Sequence, residues 1–164
     1  MRKISGILAA LGLLVALAPA GPAAADRATH RDPKDTPGKL DIKSVTHAHE
    51  KGRLVTIIRT YGKWKVRDLA GANRFLLFSK AKGKVTKGTM WWKNGEWFCT
   101  LPGNRRPCSQ MPGLTVKHPN PRTLVLKNIP PKGQKSYKYR VGTRYKGHTD
   151  WAPSRRGWYL HKVR

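Results

Sequence analysis

Trp91-Trp92-Lys93-Asn94-Gly95-Glu96-Trp97-Phe98 sets two aromatic arms about an Asn-Gly pair. Asn and Gly accept the two positive φ angles of a type I′ turn, whose twist suits a two-residue β-hairpin. A loop at Asn94-Gly95 places Lys93 opposite Glu96, Trp92 opposite Trp97, Trp91 opposite Phe98 and Met90 opposite Cys99. Side chains alternate across a strand, so Met90, Trp92, Trp97 and Cys99 share one wholly apolar face, expected in the core. Trp91, Phe98, Lys93, Glu96, Thr89 and Thr100 share the other, expected to meet water or to be only partly covered, with Trp91 exposed.

Strand signals continue on both sides. Upstream, Leu40 to Val45 alternates, Glu50-Lys51-Gly52 reads as a turn, and Leu54 to Tyr61 is rich in β-branched residues. Gly62 to Ala72 reads as a loop or short helical turn. Phe75 to Phe78 and Lys84 to Trp92 are of strand length. If the intervening stretch stays extended, Lys80, Lys82 and Lys84 share one side. Downstream, Leu114 to Val116 and Thr123 to Lys127 are short strands around a Pro119-Asn120-Pro121 connection. Ser136 to Tyr145 alternates Tyr137, Tyr139 and Val141 against Lys138 and Arg140. No long amphipathic helix and no internal repeat stands out. About eight short strands with turn signals between them predict an antiparallel β-sandwich, with a small β-barrel as the alternative.

The first 25 residues have another character. Arg2 and Lys3 precede an apolar run from Ile7 to Leu17, and small residues lead to Ala23-Ala24-Ala25. This order reads as a signal peptide cleaved before Asp26. The run is shorter than the ~20 residues of a membrane span. The expected organisation is a signal peptide at 1–25, an extended polar lead-in at 26–39 and a single sandwich domain at 40–164, secreted and extracellular, with no transmembrane segment after cleavage. Cys99 and Cys108, the two cysteines, are expected to pair in an oxidising compartment.

Losing Arg2 and Lys3 with the leader leaves 32 Lys and Arg against 8 Asp and Glu, a formal charge of +24. Such an excess favours anionic partners. The cations interleave with aromatics, as in Tyr137-Lys138-Tyr139-Arg140 and Arg155-Arg156-Gly157-Trp158. Cations meet phosphate, sulfate or carboxylate, and aromatic faces stack on sugars or bases. The predicted ligand-binding residues are Trp91, Lys93, Phe98, Lys138, Arg140, Arg155, Arg156 and Trp158. The expected function is non-catalytic binding of an anionic polymer: a cell-wall polyanion, an acidic polysaccharide or nucleic acid.

No catalytic motif is present: there is no Gly-x-Ser-x-Gly elbow, and no two carboxylates pair locally. An alternative is a hydrolase acting on such a polymer through Asp150 or Glu96. Another is a protein-binding or inhibitory module using the Pro-rich disulfide loop. No cofactor is implied. His47-Ala48-His49 would aim two imidazoles to one side of a strand, as a metal needs. Asp32, Asp35 and Asp41 could collect Ca²⁺, though Asx turns explain the same residues.

Asp32-Pro33-Lys34-Asp35-Thr36-Pro37-Gly38-Lys39-Leu40-Asp41-Ile42 carries a further signal. With Thr149-Asp150-Trp151-Ala152-Pro153, it resembles the Asp-Pro-x-Asp, Gly-x-Leu-Asp-Ile and Asp-x-Ala-Pro segments of small secreted bacterial β-sandwich proteins. The resemblance covers two short patches. It implies a secreted sandwich and no established activity.

Overall fold

A computed structural model describes residues 26–101, 104–129 and 136–162 of the protein. The expected signal peptide lies outside the described residues. The described chain is all-β, with twelve strands in two antiparallel sheets packed as a sandwich. The barrel alternative is not realised.

The smaller sheet orders its strands β1 (Arg27–Arg31), β2 (Ile42–Glu50), β3 (Arg53–Thr60), β9 (Thr123–Asn128) and β8 (Thr115–Asn120). The larger sheet orders β11 (His148–Ala152), β10 (Ser136–Tyr145), β4 (Arg74–Ala81), β5 (Lys84–Lys93), β6 (Glu96–Leu101) and β7 (Asn104–Pro107). Its seventh strand, β12 (Tyr159–Lys162), pairs with β10. The extended lead-in contributes the edge strand β1, which pairs with β2 from Arg27 opposite Ala48 to Arg31 opposite Ser44. The Gly62 to Ala72 stretch holds a 3-10 turn at Val66–Leu69.

Four of the hairpins close with two-residue loops built on one physical device. Lys51-Gly52, Lys82-Gly83, Asn94-Gly95 and Lys146-Gly147 each have positive φ at both positions. Glycine takes such angles without steric cost, and a long side chain before it is tolerated because these tips face water. The β5–β6 hairpin has the register expected from Asn94-Gly95: Lys93 opposite Glu96, Trp92 opposite Trp97, Trp91 opposite Phe98 and Met90 opposite Cys99. The Lys82-Gly83 turn means that Lys80 and Lys84 lie on successive strands, not along one extended segment. Pro119 is accommodated in the edge strand β8, where pairing with β9 is irregular between Lys117 and Asn120.

Register explains the core. Val45, Ile58 and Leu124 form one row across β2, β3 and β9, and all three are fully buried. Phe75, Met90 and Cys99 form the facing row across β4, β5 and β6, in one cluster with Tyr139 and Val141 of β10. Trp92 and Trp97 are partly buried and pack against this cluster, as their side of the hairpin requires. Trp64, outside the strands, is also buried, with its indole stacked 3.8 Å from the His118 ring.

Cys99 of β6 is bridged to Cys108, which begins a 3-10 turn at Cys108–Gln110. The bridge fastens the chain after edge strand β7 back onto the core. Closing this short loop restricts the unfolded chain and contributes about 2.7 kcal/mol by the chain-entropy relation. Replacing both cysteines by Ser is expected to lower the urea midpoint by an amount matching that loss. Equal midpoints for the two proteins would show that the bridge adds no stability.

Candidate functional site

The outer face of the larger sheet follows from the same alternation. On β10, Tyr137, Tyr139, Val141, Thr143 and Tyr145 are buried inward. Lys138, Arg140 and Arg144 therefore point outward. Opposite them on β4 stand Lys80, Phe78 and Arg74. Lys87 of β5 pairs with Phe78, and Lys93 lies further along the same side of β5. Arg105 of β7 opposes Thr100, which in turn opposes Thr89. Among the described residues, two cations on β4, two on β5, three on β10, one on β7 and Lys162 of β12 thus share a face with one carboxylate, Glu96. Leu160 and Val85, both about half exposed, belong to this face too.

An aromatic cage sits at one edge. The Arg140 guanidinium lies 4.7 Å from the ring centres of both Phe78 and Trp158, and 5.1 Å from that of Trp151. It also donates to the Arg155 carbonyl, drawing the 153–158 loop over the sheet. Gly142 makes the cage possible. A Cβ there would come within 2.7 Å of the Trp151 ring, so only glycine lets this indole lie flat on the strand. Arg140 is consequently a positioning residue, held between rings, whereas Lys138, Arg155 and Arg156 are exposed.

Of the predicted ligand residues, Lys138, Arg140, Arg155, Arg156 and Trp158 gather around this cage. Trp91, Lys93 and Phe98 lie on the same face toward the other edge. Three strand spacings, about 14 Å, separate β10 from β6. The expectation that Trp91 is exposed is not met. It is 8 % accessible, with the Arg105 guanidinium 5.0 Å above its ring and Phe98 stacked 5.8 Å away. A large indole beside a long cation draws that side chain across itself, which strand alternation cannot reveal.

The two carboxylates considered for hydrolysis do not meet. Asp150 is on β11 and Glu96 on β6, four strand spacings apart, or about 19 Å. Glycosidase carboxyl pairs stand within roughly 10 Å. Asp150 is buried, and its oxygens accept the Ile42 amide at 2.5 Å and the Trp151 amide at 2.6 Å. Of the Pro-rich disulfide loop, residues 102 and 103 lie outside the described residues.

Around Asp150 the two resemblance patches, over a hundred residues apart in sequence, come together. Oxygens of Asp32, Asp35 and Asp150 lie within 4.8 Å of one another. The calcium group expected from sequence thus holds Asp32 and Asp35, with Asp150 where Asp41 was expected. Asp41 is buried nearby. Burial, reinforced by Asp150, Asp35 and Asp41, pushes the Asp32 carboxyl up to about 7. Burial likewise raises Asp150 and Asp41.

The histidines separate. His47 and His49 do face one side, but His47 stacks on Tyr139 at 3.6 Å while His49 meets His161 of β12. The two imidazoles hydrogen-bond at 3.0 Å, and Asp26 lies 3.4 Å from His161 and 3.8 Å from His49. The donor group here is therefore Asp26, His49 and His161, without His47. No local pattern marks His161, which enters through the pairing of β12 with β10.

A scan against protein-family models finds none that matches the chain, and a search of curated proteins finds no significant match.

Burial, with His161 adding to it, depresses the His47 pKa from 6.5 to about 3. The folded protein keeps this imidazole neutral, while the unfolded chain takes up its proton below 6.5. Its contribution to stability is complete above that value and is lost as pH falls toward 3. Melting temperature is expected to fall between pH 7 and pH 4 more steeply in the native protein than in His47→Gln. Parallel profiles for the two proteins would refute this.

Proposed function

We propose that this is a secreted, non-catalytic protein that holds an anionic polymer across the outer face of its larger sheet. The observation that carries this reading is the charge of that face: among the described residues, outward cations on β4, β5, β7 and β10 stand against Glu96 alone. Lysines and arginines on neighbouring strands stand about 5 Å apart in the pairing direction. Such a lattice repels itself and is relieved by a chain of regularly spaced anions, with release of that chain's counterions.

The surroundings favour an acidic polysaccharide over nucleic acid. Base stacking needs open aromatic faces. Phe78, Trp151 and Trp158 each turn toward Arg140, and Trp91 lies under Arg105. Thr89 and Thr100 hydrogen-bond to each other between the cations, so the lysines and arginines are left as the groups that meet sulfate or carboxylate. Charge supplies most of the affinity in this arrangement, and the indoles keep the surface rigid. Arg155 and Arg156 extend the positive surface beyond the sheet edge.

Binding to a sulfated polysaccharide is expected to weaken steeply with salt. Replacing Lys80, Lys87 and Lys138 together by Gln should reduce the slope of log K against log salt by roughly 2 to 3, about one per lost contact. Replacing Lys117 and Arg122, which belong to the other sheet and its turn, should leave the slope unchanged. Equal losses from both sets, or retention indifferent to salt, would contradict the proposal.

A further inference from the structure

Asp32, Asp35 and Asp150 pose a problem that the polymer face does not solve. The chain holds 8 acidic residues among 34 basic ones, so a carboxylate can find a cation almost anywhere on this protein. Here three carboxylates instead face one another within 4.8 Å. Among the described residues, no Lys or Arg comes within ion-pair distance of any of them. Asp32 is 4 % accessible, and its Oδ2 has no hydrogen-bond partner among the described residues. A buried carboxylate oxygen with nothing to accept is costly, and two further carboxylates beside it increase that cost.

We infer that Asp32, Asp35 and Asp150 form a Ca²⁺ site that joins the segment between β1 and β2 to β11. The donor chemistry selects the ion. All three ligands are hard oxygens, with no imidazole or thiolate in the group, which suits Ca²⁺ or Mg²⁺ over Zn²⁺ or copper. Asp150 uses its two oxygens for the Ile42 and Trp151 amides, and each oxygen keeps a second lone pair. Asp35 is exposed, so the group opens to water on one side. Ca²⁺ accepts six to eight oxygens in irregular arrangements and fills the remainder with water or carbonyls, while Mg²⁺ demands a near-ideal octahedron. A half-open, uneven trio fits the larger ion.

The site also has a structural purpose. Asp150 holds the first amide of β2 and the amide of Trp151, so an ion on Asp150 would brace the start of one sheet and the edge of the other. It would do so whether or not the outer face carries a polymer.

The test uses the full mature chain, freed of metal with EDTA, and Ca²⁺, Mg²⁺ and Tb³⁺ as probes. Ca²⁺ is expected to raise the melting temperature saturably. Tb³⁺ is expected to luminesce on excitation of tryptophan, given Trp151 beside Asp150, and to be displaced by Ca²⁺. Asp35→Asn, at an exposed position that leaves the fold intact, should weaken Ca²⁺ binding at least about tenfold, because charge count sets affinity in such sites. Asp32→Asn should abolish it, and Glu96→Gln should change nothing. No saturable response in the native chain, a native-like response in Asp35→Asn, or equal stabilisation by Mg²⁺ would overturn the assignment.

Discussion

The structure turns on the alternation of side chains along β10. This strand pairs with β4, β11 and β12, so its facing decides the facing of half the larger sheet. Burying Tyr139 and Val141 against the other sheet leaves no freedom for Arg140. A slip of one residue would carry Lys138 and Arg140 into the core and three tyrosines into water. Hydrophobic burial therefore sets the register, and the cationic outer face is its obligatory counterpart.

The same arrangement explains how so basic a chain stays folded. Like charges on neighbouring strands repel, but exposed charges are screened within roughly 8 Å at physiological salt. Where a cation is drawn in, as with Arg140, aromatic faces offset its lost hydration. The few carboxylates are distributed with equal economy. Asp68 takes Lys39 at 3.1 Å, Glu50 faces Lys127 at 3.8 Å, and Asp26 meets two histidines. Asp32, Asp35 and Asp150 are instead set together at the junction of the two sheets. Cations thus spread over the outer faces of both sheets, while three carboxylates gather in a small, partly enclosed negative focus.

Much of the fold was legible because it is written locally. Asn94-Gly95 specifies one hairpin and its register, β10 announces both of its faces, and the spacing of Cys99 and Cys108 suits a bridge. The lead-in was harder, since Arg27–Arg31 becomes a strand only by pairing with β2. The Lys-Gly turns were partly hidden, because lysine is not a usual partner of glycine at such tips. The sites were less legible still. Asp150 reaches Ile42 across 108 residues and His161 reaches His49 across 112, and no window on the chain contains both partners. The burial of Trp91 depends on the reach of Arg105 from another strand. Local pattern therefore identified the outward cations of β10, while tertiary pairing alone showed which carboxylates and imidazoles meet.

A polymer held across the outer face of the larger sheet would mark that face, and mapping a bound ligand onto the chain decides where it lies. Amide and indole NMR shifts would be followed as a short sulfated oligosaccharide is titrated into the protein. Changes are expected at β4, β5 and β10 and at the Trp158 indole, with β3 and β9 silent. Changes confined to the smaller sheet, or none at saturating oligosaccharide in low salt, would contradict binding to that face.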